Sequence, residues 1–166
     1  MHRLISVFSL AALLFLTGCS GPSYQFRPVP GKTGVVERGY ACPPVEAPPT
    51  VHAAIAAGNR ISGLPYRRGG GHGRQLDTGY DCSGSVSYVL REAGLMEDSM
   101  PSKGFRRYGK SGEGDWISIY AKSGHVFMVV AGLRLDTGYN NEREGPRWST
   151  LSRPANGCVI RHPAGL

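Results

Sequence analysis

Two stretches of the chain repeat apolar residues at the spacing of an amphipathic helix. The first follows Thr50, a residue suited to cap a helix, and ends near Gly58. The second has apolar side chains at positions 86, 89, 90 and 93, and it lies between Asp81, a capping residue, and Gly94, a residue that ends helices. The pattern therefore predicts two short helices, with Cys82 in the first turn of the second.

Strand patterns follow in the second half of the chain. Residues 116–120 alternate between two faces, whereas residues 126–131 are almost continuously apolar, which is typical of a central strand. Residues 133–137 and 158–160 have further strand patterns. Because the helices come first and the strands then form a meander, the sequence predicts an α+β domain rather than a parallel α/β sheet.

Prolines dominate the segment before the first helix. Residues 19–49 show no sustained hydrophobic period and contain prolines throughout, which exclude helices and central strands. This composition favours an extended tether over residues 19–49. The folded domain is then expected over residues 50–166.

The N-terminal residues have the organisation of an export signal. A short positive start precedes an apolar run over residues 4–16, which is shorter than the about 20 residues of a membrane-spanning helix. The run ends at Leu16-Thr17-Gly18-Cys19, so that residues 1–18 resemble a bacterial lipoprotein signal peptide. The resemblance implies that Cys19 is acylated and becomes the mature N-terminus. Ser20 after it favours an anchor at the periplasmic face of the outer membrane.

Composition narrows the class of protein. The chain has 166 residues, of which 40% are hydrophobic, enough for one small core. Its 24 glycines and 12 prolines indicate a loop-rich domain. The formal net charge of +7 is spread along the chain, which argues against a dedicated nucleic-acid-binding arm and favours encounter with anionic partners.

Four cysteines occur in the sequence, and lipidation would use Cys19. The remaining three cannot all pair with one another. Cys82 differs from Cys42 and Cys158 because it begins a helix, where backbone N–H groups and the helix dipole stabilise a thiolate. It is therefore a candidate nucleophile, and the alternative is a buried structural thiol.

Four short motifs resemble, in order and approximate spacing, those of the NlpC/P60 family of papain-like cell-wall cysteine peptidases. They are Tyr66 with Gly69-Gly70, Asp81-Cys82-Ser83-Gly84, Gly114-Asp115, and Gly124-His125-Val126. The resemblance covers about residues 51–137 and implies a papain-like α+β fold, with helices packed on a small antiparallel sheet. It also implies hydrolysis of an amide bond in the stem peptide or the cross-link of peptidoglycan. We expect a monomer that uses no cofactor or metal.

The resemblance also assigns roles to single residues. Cys82 would be the nucleophile and His125 its base. Tyr66, Asp81 and Ser83 would line the cleft and hold the free N-terminus of the stem peptide or a carboxylate. Capping of the helix explains Asp81 equally well.

The third catalytic residue departs from the family pattern. The family often places a histidine on the strand after the base, but this sequence has none between His125 and His162. Asp136 is the natural substitute, because a carboxylate that accepts the imidazole N–H fixes the tautomer and stabilises the imidazolium. The alternatives are a turn-forming role for Asp136 and a catalytic role for Asn140. Arg68 also stands where the family commonly has an aromatic residue, so the substrate groove is expected to differ.

The sequence is also compatible with other functions and with other roles for its cysteines. A catalytically inert lipoprotein could use the same cleft to bind wall peptides. A zinc site is disfavoured, because Cys42, Cys82, His125 and Cys158 lack the closely spaced ligand pairs of zinc modules. For Cys42 and Cys158, export to an oxidising envelope favours a disulfide, and two unpaired thiols are the alternative.

Overall fold

A computed structural model describes residues 22–138 and 144–166. Cys19 and Asn140 lie outside the described residues. The described part has three helices, α1 (Pro49–Ile61), α2 (Cys82–Glu92) and α3 (Ser102–Phe105). Its strands are β1 (Ser23–Tyr24), β2 (Val35–Glu37), β3 (Tyr40–Cys42), β4 (Lys110–Ser111), β5 (Ile117–Lys122), β6 (His125–Val130), β7 (Leu133–Asp136), β8 (Arg147–Ser149), β9 (Arg153–Pro154) and β10 (Val159–His162).

A six-stranded antiparallel sheet forms the centre of the molecule, in the order β4-β10-β5-β6-β7-β8. The meander predicted from residues 116–137 is present as β5, β6 and β7. β10 pairs with β5 on the side away from β6. Because the helices pack on an antiparallel sheet, the described part has the α+β organisation that the sequence predicts.

One face of the sheet packs against α1 and α2. Alternation along β5 and β6 turns one set of apolar side chains to this face, and each is at most 1% exposed: Ile117, Ile119, Val126 and Met128. The helices fill the other side of this core with Val51, Ile55, Val89 and Leu90. α2 contacts β6 directly, so the helix that begins at Cys82 and the strand that begins at His125 share one core.

α1 differs from its prediction at both ends. It is not capped by Thr50 but begins at Pro49, because the fixed φ of proline suits a first helical turn. It continues past Gly58 to Ile61. Gly58 serves close packing rather than termination, since a Cβ there would lie 2.3 Å from the ring of Trp148. Within residues 22–138 and 144–166, no helix has the length and hydropathy needed to span a bilayer.

Residues 22–49 differ from the extended tether that their prolines predict. β1 pairs with β9, and Tyr24 is buried on the second face of the sheet, where its hydroxyl donates to Gly132 O over 2.7 Å. β2 and β3 form a hairpin, and the side-chain amide of Asn59 bonds both backbone polar groups of Ala41. The prolines exclude a central strand, but short peripheral strands need few backbone donors and are therefore compatible with them.

The disulfide predicted between Cys42 and Cys158 is not formed, and both residues are free thiols. Cys42 is exposed on β3, next to Ala41, which belongs to the core beneath the helices. Cys158 is buried in a separate cluster with the aromatic side chains of the second sheet face. The two thiols therefore lie in different packing environments.

Candidate active site

The candidate nucleophile begins α2, as predicted. Asp81 is the N-cap, and its Oδ1 accepts from the Gly84 N–H over 2.7 Å. The Ser85 N–H donates to Asp81 O, which starts the helical hydrogen-bond series. The Cys82 N–H precedes this series and has no intrahelical acceptor. The thiol and the backbone N–H of Cys82 therefore both lie at the N-terminus of α2, where the helix dipole is positive.

A glycine loop packs directly against this helix start. A Cβ at Gly84 would come within 1.9 Å of Gly70 O. The Asp81 N–H donates to that same Gly70 O over 3.2 Å. The glycines of the predicted motifs therefore have a packing role, which is to let the loop over residues 69–71 approach the backbone beside Cys82.

His125 opens β6 after a turn at Gly124, whose φ of 87° lies in the left-handed region that glycine adopts easily. Its Nε2 lies 3.0 Å from Asp136 Oδ1, and its ring lines the same cleft as the Cys82 thiol, which contributes to its pKa. Because Nε2 faces Asp136, Nδ1 is the ring nitrogen available to the thiol. Burial alone would lower the pKa of His125, but the hydrogen bonds and charges of Asp136 and Cys82 outweigh it and raise the pKa to about 9.

Asp136, at the end of β7, has hydrogen-bond partners at both of its carboxylate oxygens. Its side chain is 2% exposed. Oδ1 accepts from the Thr137 N–H over 2.8 Å as well as facing His125. Oδ2 accepts from Arg134 Nη1 over 3.2 Å and from Arg153 Nη1 over 2.5 Å. The structure thus brings Cys82, His125 and Asp136 into one series, in which His125 is hydrogen-bonded to Asp136 and the Asp136 carboxylate lies between two guanidinium groups.

An open cleft of about 360 Å³ lies over this series. Tyr66, one of the predicted substrate-binding residues, lines it together with the nucleophile and the base. The complete lining is Tyr66, Cys82, Gly124, His125, Thr137, Gly138 and Arg153. A second cavity, of about 400 Å³, lies between β1 and residues 113–118 and contains none of the predicted catalytic residues.

Asp81 and Ser83 do not line this cleft. Asp81 Oδ1 accepts from Gly84 N and from Ser83 Oγ and faces His72 Nε2 at 3.2 Å, while Oδ2 accepts from Gly69 N. Burial alone would raise the pKa of Asp81, but these hydrogen bonds and the charge of His72 lower it. The carboxylate is thus occupied by its own neighbours, which favours the helix-capping interpretation of Asp81 over substrate binding.

Sequence reasoning missed three residues near the site. His72 bonds Asp81 and Ser83, and nothing in the glycine-rich sequence around it points to these contacts. Arg134 could have been found, because it lies two residues before Asp136 on a strand and therefore on the same face. The residues next to Arg153 in the sequence do not mark it as part of a site, because the pairing of β9 with β1 brings it to the cleft.

No group of three or more His, Cys, Asp and Glu side chains that could hold a metal ion occurs within residues 22–138 and 144–166. Comparisons of this chain with protein families, with curated proteins and with solved structures found no match. The functional assignment therefore depends on the geometry of the cleft and on the motifs in the sequence.

Proposed function

We propose that this chain is a cysteine peptidase of the NlpC/P60 type with a papain-like catalytic domain, which hydrolyses an amide bond in peptidoglycan stem peptides or cross-links. The observation that carries the proposal is the series from Cys82 through His125 to Asp136, in which Cys82 and His125 line an open cleft and Asp136 is hydrogen-bonded to His125. A thiol at a helix N-terminus, an imidazole in contact with it and a carboxylate that orients the imidazole are the parts that cysteine acyl transfer requires.

The first half of the reaction forms an acyl-enzyme. The Cys82 thiolate attacks the carbonyl carbon of the scissile amide, and its backbone N–H supports the oxyanion because that donor has no acceptor in the helix. His125 is charged at neutral pH, since its pKa is raised to about 9. It donates its proton to the nitrogen of the leaving amine as the C–N bond breaks, which leaves a thioester on Cys82.

The second half of the reaction releases the acyl group. Neutral His125 accepts a proton from water, and the resulting hydroxide attacks the thioester carbonyl. The C–S bond breaks, and the products are a carboxylic acid, which releases its proton to solvent, and the thiolate–imidazolium pair. Throughout, Asp136 holds Nε2 of the imidazole and stabilises its charged form, so that Nδ1 stays directed at the nucleophile.

The cellular setting is part of the proposal. The N-terminal sequence resembles that of a lipoprotein, so we propose that an acyl chain on Cys19 holds the domain at the periplasmic face of the outer membrane. The formal net charge of +7 favours encounter with an anionic wall polymer. The substrate class itself comes from the resemblance of the motifs around Cys82 and His125.

Digestion of purified peptidoglycan tests the proposal. We expect each cut to produce one new carboxylate and one new amino group on the two sides of the hydrolysed amide, which mass spectrometry identifies as the gain of one water per cut bond. Cleavage in the glycan strand would contradict the proposal. Binding of wall fragments without any cleavage would favour the inert wall-binding lipoprotein instead.

A further inference from the structure

An open groove of about 490 Å³ lies beside α3 and shares no lining residue with the catalytic cleft. It combines apolar and cationic side chains, and its lining is Met100, Pro101, Lys103, Gly104, Arg107 and Tyr108. A groove of this composition suits a ligand that has both apolar and anionic groups. The reaction at Cys82 uses none of these residues.

The walls of this groove are fixed by hydrogen bonds to the rest of the domain. The Met100 N–H donates to Ser87 Oγ over 3.2 Å, and the Tyr108 hydroxyl donates to Leu95 O over 2.8 Å. Ser87 lies on α2, five residues after Cys82, so this wall is about 7.5 Å along the helix axis from the nucleophile. The groove is therefore formed before any ligand binds, and it lies close to the catalytic cleft.

The segment around the groove carries positive charge that is not neutralised locally. Its cationic side chains are all exposed: Lys103, Arg106, Arg107 and Lys110. Among residues 22–138 and 144–166, none forms an ion pair with any of these four side chains. Residues 99–112 contain no Asp or Glu, and the flanking carboxylates of Asp98 and Glu113 bond Arg74 and Tyr120 instead. The groove therefore favours an anionic ligand.

The position of the groove in the fold favours the wall over the membrane as its partner. Pro22 O already accepts from the Ala155 N–H, so the fold begins three residues after Cys19, a stretch that spans at most about 11 Å. The next strand, β1, packs Tyr24 on the second face of the sheet, whereas Phe105 of α3 belongs to the core beneath the helices. An acyl chain on Cys19 would thus hold the second face toward the bilayer and leave α3 on the side of the wall.

We infer that the groove beside α3 is a second binding site for the wall polymer, which takes an acidic peptide segment outside the bond that is cut. The inference rests on the proposed peptidase function and adds a site that engages the polymer. Carboxylates of the segment pair with Lys103 and Arg107, while its apolar groups lie between Met100 and Tyr108. Because the site touches no reacting atom, it raises the local concentration of the polymer at the cleft and leaves the chemical step unchanged.

The test compares two substrates, purified insoluble peptidoglycan and a short soluble stem peptide that occupies the cleft alone. The variant Lys103→Gln/Arg107→Gln removes the two cations that line the groove. We expect its rate of fragment release from peptidoglycan to fall by roughly fivefold or more, as for the loss of two exposed ion pairs. Its kcat/KM on the soluble peptide should equal that of wild type.

Arg27→Gln/Lys32→Gln is the matched control. It also replaces one arginine and one lysine, both exposed, but neither lines the groove. It should therefore release fragments from peptidoglycan at the wild-type rate. The comparison separates a site beside α3 from a general effect of net charge.

Cosedimentation of the Cys82→Ala protein with intact peptidoglycan tests the site without turnover. Adding Lys103→Gln/Arg107→Gln should weaken this binding by roughly fivefold or more, and adding Arg27→Gln/Lys32→Gln should leave it unchanged. Vesicles that contain phosphatidylglycerol provide the comparison for a membrane partner. Loss of vesicle binding in the groove variant, with peptidoglycan binding retained, would assign the groove to lipid and overturn the inference.

The remaining outcomes separate the inference from the peptidase proposal. Wild-type release from peptidoglycan by Lys103→Gln/Arg107→Gln would overturn the inference and leave the peptidase proposal intact. An equal loss on both substrates, or an equal loss in the control variant, would overturn it as well. Failure of wild type to cleave either substrate would contradict the peptidase proposal, and cosedimentation would then decide the role of the groove.

Discussion

At the scale of single residues, the account depends most on the carboxylate that orients the imidazole. Asp136→Asn fills the same space but removes the charge that faces His125, so the imidazolium formed during turnover loses its partner. We expect kcat to fall by roughly 100-fold or more with a smaller rise in KM. Steady-state kinetics measures both, and circular dichroism checks that the domain remains folded.

Asn140→Ala is the comparison for that variant, because Asn140 is the alternative third residue and lies outside the described residues. If Asn140→Ala lowers kcat more than Asp136→Asn does, the orienting role belongs to Asn140. The hydrogen bond of 3.0 Å between His125 Nε2 and Asp136 Oδ1 leads us to expect the opposite order.

The raised pKa of His125 gives a prediction about pH. Because the imidazolium persists until its pKa of about 9, activity should be lost as pH rises through about 9.

The same pKa affects the stability of the fold. The folded-state pKa of His125 exceeds the unfolded value of about 6.5. The contribution of His125 to the free energy of unfolding is therefore fully present below about pH 6.5 and is lost as pH rises through the folded-state pKa. An NMR titration of His125 reports the pKa directly, and it should fall in Asp136→Asn. An unchanged titration in that variant would refute the assigned cause.

At the scale of secondary structure, the start of α2 is held by close backbone packing. Gly84→Ala would place a Cβ within 1.9 Å of Gly70 O and should cost about 1–3 kcal/mol in the free energy of unfolding. Gly73→Ala is the matched control, because nothing lies within 4 Å of a Cβ there. Urea unfolding compares the two variants, and equal stability would mean that the loop does not pack on the helix as described.

The first strand provides a second test at this scale, since it decides whether residues 22–49 are part of the folded domain. Tyr24 is 4% exposed, whereas Tyr40, in the same proline-rich segment, is 55% exposed. Tyr24→Ala should cost about 3–5 kcal/mol, as for other buried aromatic side chains, and Tyr40→Ala should stay within about 0.5 kcal/mol of wild type. Equal stabilities in urea would restore the extended tether that the sequence predicts.

At the scale of the whole molecule, the sequence predicted those parts of the fold and the site that depend on residues close together in the chain. The meander and the start of α2 follow from local periodicity and from Asp81, so they could be predicted. Arg153 and the packing of Tyr24 depend on pairing between residues far apart in the chain, which composition does not encode. Export to an oxidising envelope likewise favoured a disulfide between Cys42 and Cys158, but pairing of residues far apart in the chain cannot be predicted from this, and the structure has two free thiols there.

The cysteines also permit the most direct test of the central claim, that Cys82 is the nucleophile of a wall peptidase. The measurement is the rate at which purified peptidoglycan releases peptide fragments, with Cys82→Ala, Cys82→Ser and the exposed-thiol control Cys42→Ala compared against wild type. We expect Cys82→Ala to abolish release, Cys82→Ser to lose nearly as much because a hydroxyl beside an imidazole is far less ionised than a thiol, and Cys42→Ala to cleave at the wild-type rate. Release of the same fragments by Cys82→Ala at near the wild-type rate would contradict the account.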